Sequence, residues 1–216
     1  MKNKCLIKNV LIILIAVFII LFMLKEIKKP ETKPVSDNTV ANENVSDKSE
    51  LPGIQVSQGV WINEIVHLKE RLNAIGLPAL SVEGTAMHIH QHLDIFIHGK
   101  PISVPADIGV NPFAGFISPI HTHDDSAIVH VESPTVQNFT LGQFFDIWGL
   151  KLTRDSIGGY NSDTQNKLQV FVNGKESIVS PREIILAAHQ EIVITFGTGS
   201  ELPKVIPSGY GFPVGE

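Results

Sequence analysis

The sequence predicts a mainly β (α+β) protein: an N-terminal transmembrane helix, a flexible polar linker, then one β-rich domain with two similar hairpins and two short-to-medium helices. Three features predict it. Apolar residues crowd the extreme N-terminus, a strand–turn–strand text occurs twice, and helical periodicity is confined to two segments that each stop at glycine. The resulting divisions are residues 1–24 as membrane anchor, 25–50 as linker and 51–216 as soluble domain.

Val10 to Leu24 is an unbroken apolar run, and Cys5, Leu6 and Ile7 extend it across Lys8 and Asn9. Twenty helical residues at ~1.5 Å each cover about 30 Å, the hydrocarbon thickness of a bilayer. Lys8 is near enough to the end to reach the interface. A cleaved signal peptide would need a small-x-small site, but the run is followed by Lys25-Glu26-Ile27-Lys28-Lys29-Pro30. An uncleaved signal-anchor is therefore expected. Lys2, Lys4 and Lys8 before the span nearly balance Lys25, Lys28, Lys29 and Lys33 after it. Long domains cross largely regardless of charge, which places the domain of this single-pass protein on the extracytoplasmic side. Residues 25–50 have no aromatic residue and no periodic apolar face, so they cannot offset the entropy of ordering and read as a tether.

Charge divides along the same boundary. Residues 1–50 carry eight Lys and six Asp/Glu, or +2; the remaining nine Lys/Arg and sixteen Asp/Glu give −7, together the net −5. An acidic domain without Lys/Arg stripes excludes nucleic acid as a partner. The single cysteine, Cys5, excludes an intrachain disulfide and any thiolate metal site in the folded domain.

Within the domain, Trp61, Ile65, Leu68, Leu72 and Ile75 recur at helical spacing and predict a helix stopped by Gly76 and Pro78, with His67 off its apolar face in solvent. Leu93-Asp-Ile-Phe-Ile-His-Gly-Lys100 aligns with Leu168-Gln-Val-Phe-Val-Asn-Gly-Lys175. Each copy reads as a hairpin, and Asn173-Gly174 favours a type I′ turn, in which both central residues take positive φ. Ala127–Glu132 and Glu191–Phe196 read as strands. Thr140-Leu-Gly-Gln143 is a capping box opening a short helix whose face is Leu141, Phe144, Phe145 and Trp148, ended by Gly149. The Pro/Gly-rich C-terminus reads as irregular.

Seven of the nine histidines fall between residues 88 and 130. Strand alternation puts His88, His90, His92 and Asp94 on one face and Ile89, Leu93, Ile95 and Ile97 on the other. Neighbours on one face stand ~6.6 Å apart along a strand, so an adjacent pair can chelate one ion but the whole triplet cannot easily do so. Further ligands are expected from Pro119-Ile-His-Thr-His-Asp-Asp125 and from the strand bearing His130 and Glu132. The expected metal set is His90, His92, His121, His123 and His130, with Asp94, Asp124 or Glu132 as an additional ligand, orienting group or base. His88, nearest the strand start, is the weakest of its triplet. His98 replaces the turn residue Asn173 and reads as structural; His67 and His189 lie outside the set. Nitrogen and oxygen donors without sulfur favour Zn or Cu as the transition metal ion.

His88-Ile-His-Gln-His-Leu-Asp-Ile-Phe-Ile-His-Gly-Lys100, with Ile120-His-Thr-His-Asp124, His130-Val-Glu-Ser-Pro134 and Phe139-Thr-Leu-Gly-Gln-Phe-Phe-Asp-Ile-Trp-Gly149, resembles an uncharacterised family of bacterial, often membrane-tethered proteins. The resemblance spans roughly Leu77 to Gly197 and implies no activity. The His-x-His spacing alone is similar to that of cupins and α-type carbonic anhydrases. The likeness stops there, because Leu93-Asp-Ile-Phe96 replaces the residues that follow the cupin pair. Three functions remain open: a metal-binding protein without catalysis, a metalloenzyme of unknown substrate, and a non-catalytic interaction module with structural histidines.

Overall fold

A computed structural model describes residues 51–214, and its centre is a mixed sheet with strand order β10-β9-β11-β1-β6-β5. These strands are β1 (Met87–Ile97), β5 (Ile120–His121), β6 (Ile128–Ser133), β9 (Lys167–Val172), β10 (Lys175–Glu176) and β11 (Gln190–Gly197). β2 (Lys100–Ile102) pairs with the end of β1. The long β1 takes β6 antiparallel along Met87–His92 on one edge and β11 parallel along Gln91–Ile97 on the other. Four further strands form two small ribbons: β3 (Val110–Asn111) with β4 (Phe116–Ile117), and β7 (Ser156–Ile157) with β8 (Tyr160–Asn161).

The two similar hairpins are β1–β2 and β9–β10, and they share one sheet with β11 between them. Their turns have the expected conformation: φ is 49° and 72° at His98-Gly99, and 51° and 77° at Asn173-Gly174. The predicted strand at Ala127 begins one residue later, because Ala127 has φ 64° and cannot lie in a strand.

One face of the sheet carries Leu93, Ile95, Val129, Val131, Ile192 and Ile194 into the hydrophobic core. The second predicted helix, here Leu141–Trp148, packs Phe144, Phe145 and Trp148 into the same core. Its capping box forms as read: Thr140 Oγ1 accepts from Gln143 N–H (3.3 Å), and the Gln143 side chain accepts from Thr140 N–H (2.9 Å). Gly149 ends it in the left-handed conformation.

The first predicted helix is shorter than the periodicity implied. It spans Leu68–Ile75 and does not reach Trp61. Glu64 ties off the chain ahead of it, accepting from the backbone N–H groups of Val66 (3.1 Å) and His67 (3.2 Å). Buried Arg71 pairs with Glu64 and donates to the carbonyls of Pro52 (3.1 Å) and Ile147 (3.0 Å). Trp61 joins the core by another route, edge-on to Trp148 and Tyr160, with its indole N–H on the Ser57 carbonyl (3.0 Å). His67 is half-exposed, but its Nδ1 lies 3.0 Å from Glu64 Oε1, so it is held against its own loop.

The anchor and linker readings, 1–24 and 25–50, lie outside the described residues. Among the described residues no helix is long and apolar enough to cross a membrane.

Candidate metal centre

Register across strands, more than spacing along one strand, assembles the histidines. On β6, His130 lies opposite His121 of β5 and opposite His90 of β1. Three imidazoles therefore form one row over three strands, at ~4.8 Å per strand step. The adjoining row holds Glu132 of β6 opposite His88 of β1. On the other side of the first row, His92 pairs with Ile128 of β6 and with Glu191 of β11. His123 follows β5 directly, two residues beyond His121.

Side chains converge within this frame. His121 Nε2 stands 3.3 Å from His123 Nε2 and 3.9 Å from Glu132 Oε2. His130 Nδ1 is 3.6 Å from Glu132 Oε1. On the β1 side, His88 Nε2 is 3.1 Å from His90 Nε2 and 3.1 Å from Glu132 Oε1. Two nitrogens on a tetrahedral zinc at ~2.0–2.1 Å are separated by about 3.3 Å. Both Nε2–Nε2 separations match that edge length.

Two donor groups result in which every ligand atom lies within 4.8 Å of the others: His121, His123, His130 and Glu132; and His88, His90 and Glu132. A third comprises His92, Asp94 and Glu191. His90, His121, His130 and Glu132 are buried, whereas the side chains of His88 and His123 are 54% and 44% exposed. The cluster thus has a buried floor and a rim that solvent reaches.

Hydrogen bonds orient the donors. His121 Nδ1 is 2.9 Å from the Ser118 carbonyl, which only accepts, so Nδ1 carries the proton and the Nε2 lone pair faces His123 and Glu132. Fixing one ring nitrogen so that the other can ligate is the usual arrangement around a metal-bound histidine. Burial pushes the His121 imidazole down to about 4, against the Ser118 bond and with repulsion from His123. Burial and the neighbouring imidazoles, His123 and His121 foremost, push His130 down to about 3. Both rings are therefore neutral near pH 7, the form that binds metal. Burial raises the Glu132 carboxyl, reinforced by the nearby charge of Glu83 and opposed by His88.

Glu83 is a participant that sequence reasoning missed. Its Oε1 lies 3.7 Å from His123 Nε2, and its side chain hydrogen-bonds to Glu132. It arrives there because Gly84 lies flat on the end of β6, its N–H 3.3 Å from the Glu132 carbonyl. A Cβ at Gly84 would stand 2.1 Å from the Ser133 carbonyl carbon. The nearest signal in the sequence is the Glu83-Gly84 dipeptide, and without the fold nothing ties it to β6.

Among the expected ligands, His121, His123 and His130 share one group, and His90 sits beside it in the group with His88 and Glu132. His92 falls in the third group: its Nδ1 is 3.0 Å from Glu191 and its ring is stacked on Tyr210 at 3.8 Å and 7°. Glu132 occupies the ligand position weighed for it, and Asp94 accompanies His92. Exposed Asp124 instead accepts from its own turn, from the Ser126 hydroxyl and from Ser126 N–H (2.9 Å), which hold its carboxyl below the usual range. His98 is tied to Glu201 (3.1 Å) at the hairpin turn, and His189 lies against Phe212. Glu191 and Tyr210 emerge only from the fold, since a parallel strand partner and a stacking tail residue leave no local signature in the sequence.

Fold and site together define a mainly β domain presenting a histidine–carboxylate donor cluster on one sheet face. No family model, curated protein or solved structure matches the chain.

Proposed function

We propose that this is a transition-metal-binding protein, with Zn or Cu held by His121, His123 and His130 together with Glu132. The observation that carries the reading is the mutual approach of these donors, all within 4.8 Å, on a largely buried floor. Four nitrogen and oxygen donors without sulfur suit Zn²⁺ or Cu²⁺. The apolar segment of residues 5–24 anchors the protein in a membrane, with the domain on the extracytoplasmic side as binder or carrier of the ion. The motif resemblance to membrane-tethered bacterial proteins accords with that placement.

The test is elemental mass spectrometry on the full-length chain, purified in detergent without a histidine tag and exposed to Zn²⁺ or Cu²⁺ before removal of excess. At least one equivalent is expected to remain, with one equivalent fewer in a folded His121→Ala/His123→Ala variant. No retained metal, or an unchanged complement in the variant, contradicts the reading.

One observation favours a second reading, a metalloenzyme. His92 is two residues from His90 along β1, and Glu191 holds its Nδ1, which leaves Nε2 available as an acid–base group next along the strand from the cluster. In such an enzyme an open coordination position holds water or substrate. A metal-dependent hydrolytic activity abolished by His92→Gln with metal content intact would select this reading.

A further inference from the structure

We propose that the cluster holds two metal ions, bridged by Glu132. The proposal rests on the metal-binding reading above and extends it. The two donor groups at the site have one member in common, and that member is Glu132. On one side are His121 and His123 of the β5 segment with His130 of β6; on the other are His88 and His90 of β1.

Glu132 lies on β6 between these two sources. One carboxylate oxygen, Oε1, faces His88 Nε2 at 3.1 Å, and the other, Oε2, faces His121 Nε2 at 3.9 Å; His130 Nδ1, 3.6 Å from Oε1, stands between the two sides. The carboxylate is buried, so its orientation is set by the surrounding protein. Each flanking pair of imidazoles has its own Nε2–Nε2 separation of tetrahedral-edge length, 3.3 Å and 3.1 Å. The pairs therefore converge on two points. In two-metal sites the ions stand ~3.5–4 Å apart, a span that one carboxylate bridges with an oxygen on each.

The chemistry of the donors agrees. Five imidazoles and one bridging carboxylate give three or more protein ligands to one ion and three to the other, which leaves positions for water. Glu83, in contact with Glu132 and 3.7 Å from His123 on the rim, is a further oxygen donor beside the two positions. His88 has no role in a single-ion site built on His121, His123 and His130, yet its ring meets both His90 and Glu132.

The test uses the full-length, untagged protein loaded with Cu²⁺, with bound copper measured by elemental analysis and by integrated electron paramagnetic resonance. The wild type is expected to hold two equivalents, with a resonance intensity well below that of two isolated ions because the bridged pair couples magnetically. His88→Ala removes a half-exposed side chain at little risk to folding; it is expected to halve bound copper and restore full intensity to what remains. Glu132→Gln is expected to abolish the coupling. One equivalent in the wild type, unchanged by His88→Ala, overturns the second ion while the metal-binding reading stands. Two equivalents at full uncoupled intensity overturn the bridge. No retained copper or zinc removes both the proposal and the reading beneath it.

Discussion

His121 shows how one residue serves both fold and site. It is fully buried, and its Nδ1 proton is committed to the Ser118 carbonyl. The cost of that arrangement depends on pH. An unfolded histidine binds a proton near pH 6.5, whereas burial holds folded His121 neutral down to about 4 and His130 down to about 3. Between those limits the unfolded chain takes up more protons, so stability is intact above pH 6.5 and falls as the pH drops toward the folded values. For His121 alone the loss between pH 7 and pH 5 is roughly 2 kcal/mol. Denaturant midpoints of the metal-free protein are expected to decline across this interval, before ordinary carboxylates titrate. A midpoint that stays flat from pH 7 to pH 5 would contradict the burial of these rings as neutral groups.

Elements were legible where local chemistry alone dictates them. The capping box at Thr140 and the positive-φ hairpin turns at His98-Gly99 and Asn173-Gly174 require no knowledge of distant residues, and they form as read. The reading of Trp61–Ile75 as one helix went astray because Trp61 and Ile65 keep helical spacing for another reason. Trp61 is drawn to Trp148 and Tyr160, and the Glu64–Arg71 pair breaks the helix from the segment before it. Arrival of residues 83–86 at β6 was equally invisible, since it depends on Gly84 lacking a side chain. Gly84→Ala drives a Cβ into the Ser133–Pro134 backbone and is expected to cost about 1–3 kcal/mol, as overpacking does elsewhere. It should also weaken metal retention by displacing Glu83. Urea unfolding of the metal-free variant checks the first effect, and a chelator titration checks the second. Wild-type values in both would show that the segment is not pinned there.

At the scale of the molecule, the donor set depends on strand order. The sequence marks which residues share a face of β1, but not that β6 lies between β1 and β5 or that β11 runs parallel on the other edge. For that reason His121, His123 and His130 could be expected to act together, while the separation of His92 toward Glu191 could not. The position of His88 opposite Glu132 across the β1–β6 ladder is hidden on the same ground. Sheet pairing converts three separate histidine texts into one surface. Because β1 and β6 also carry Leu93, Ile95, Val129 and Val131 into the core, the site rests directly on the hydrophobic core.

The most direct measurement is a long-range ¹⁵N–¹H correlation of histidine side chains in the full-length protein, before and after one addition of zinc. His121 is expected to keep its Nδ1 proton on the Ser118 carbonyl while its Nε2 resonance moves to a metal-bound position, together with signals from His123 and His130. Unchanged Nε2 resonances at these three histidines, with zinc in excess, would contradict metal binding at this cluster.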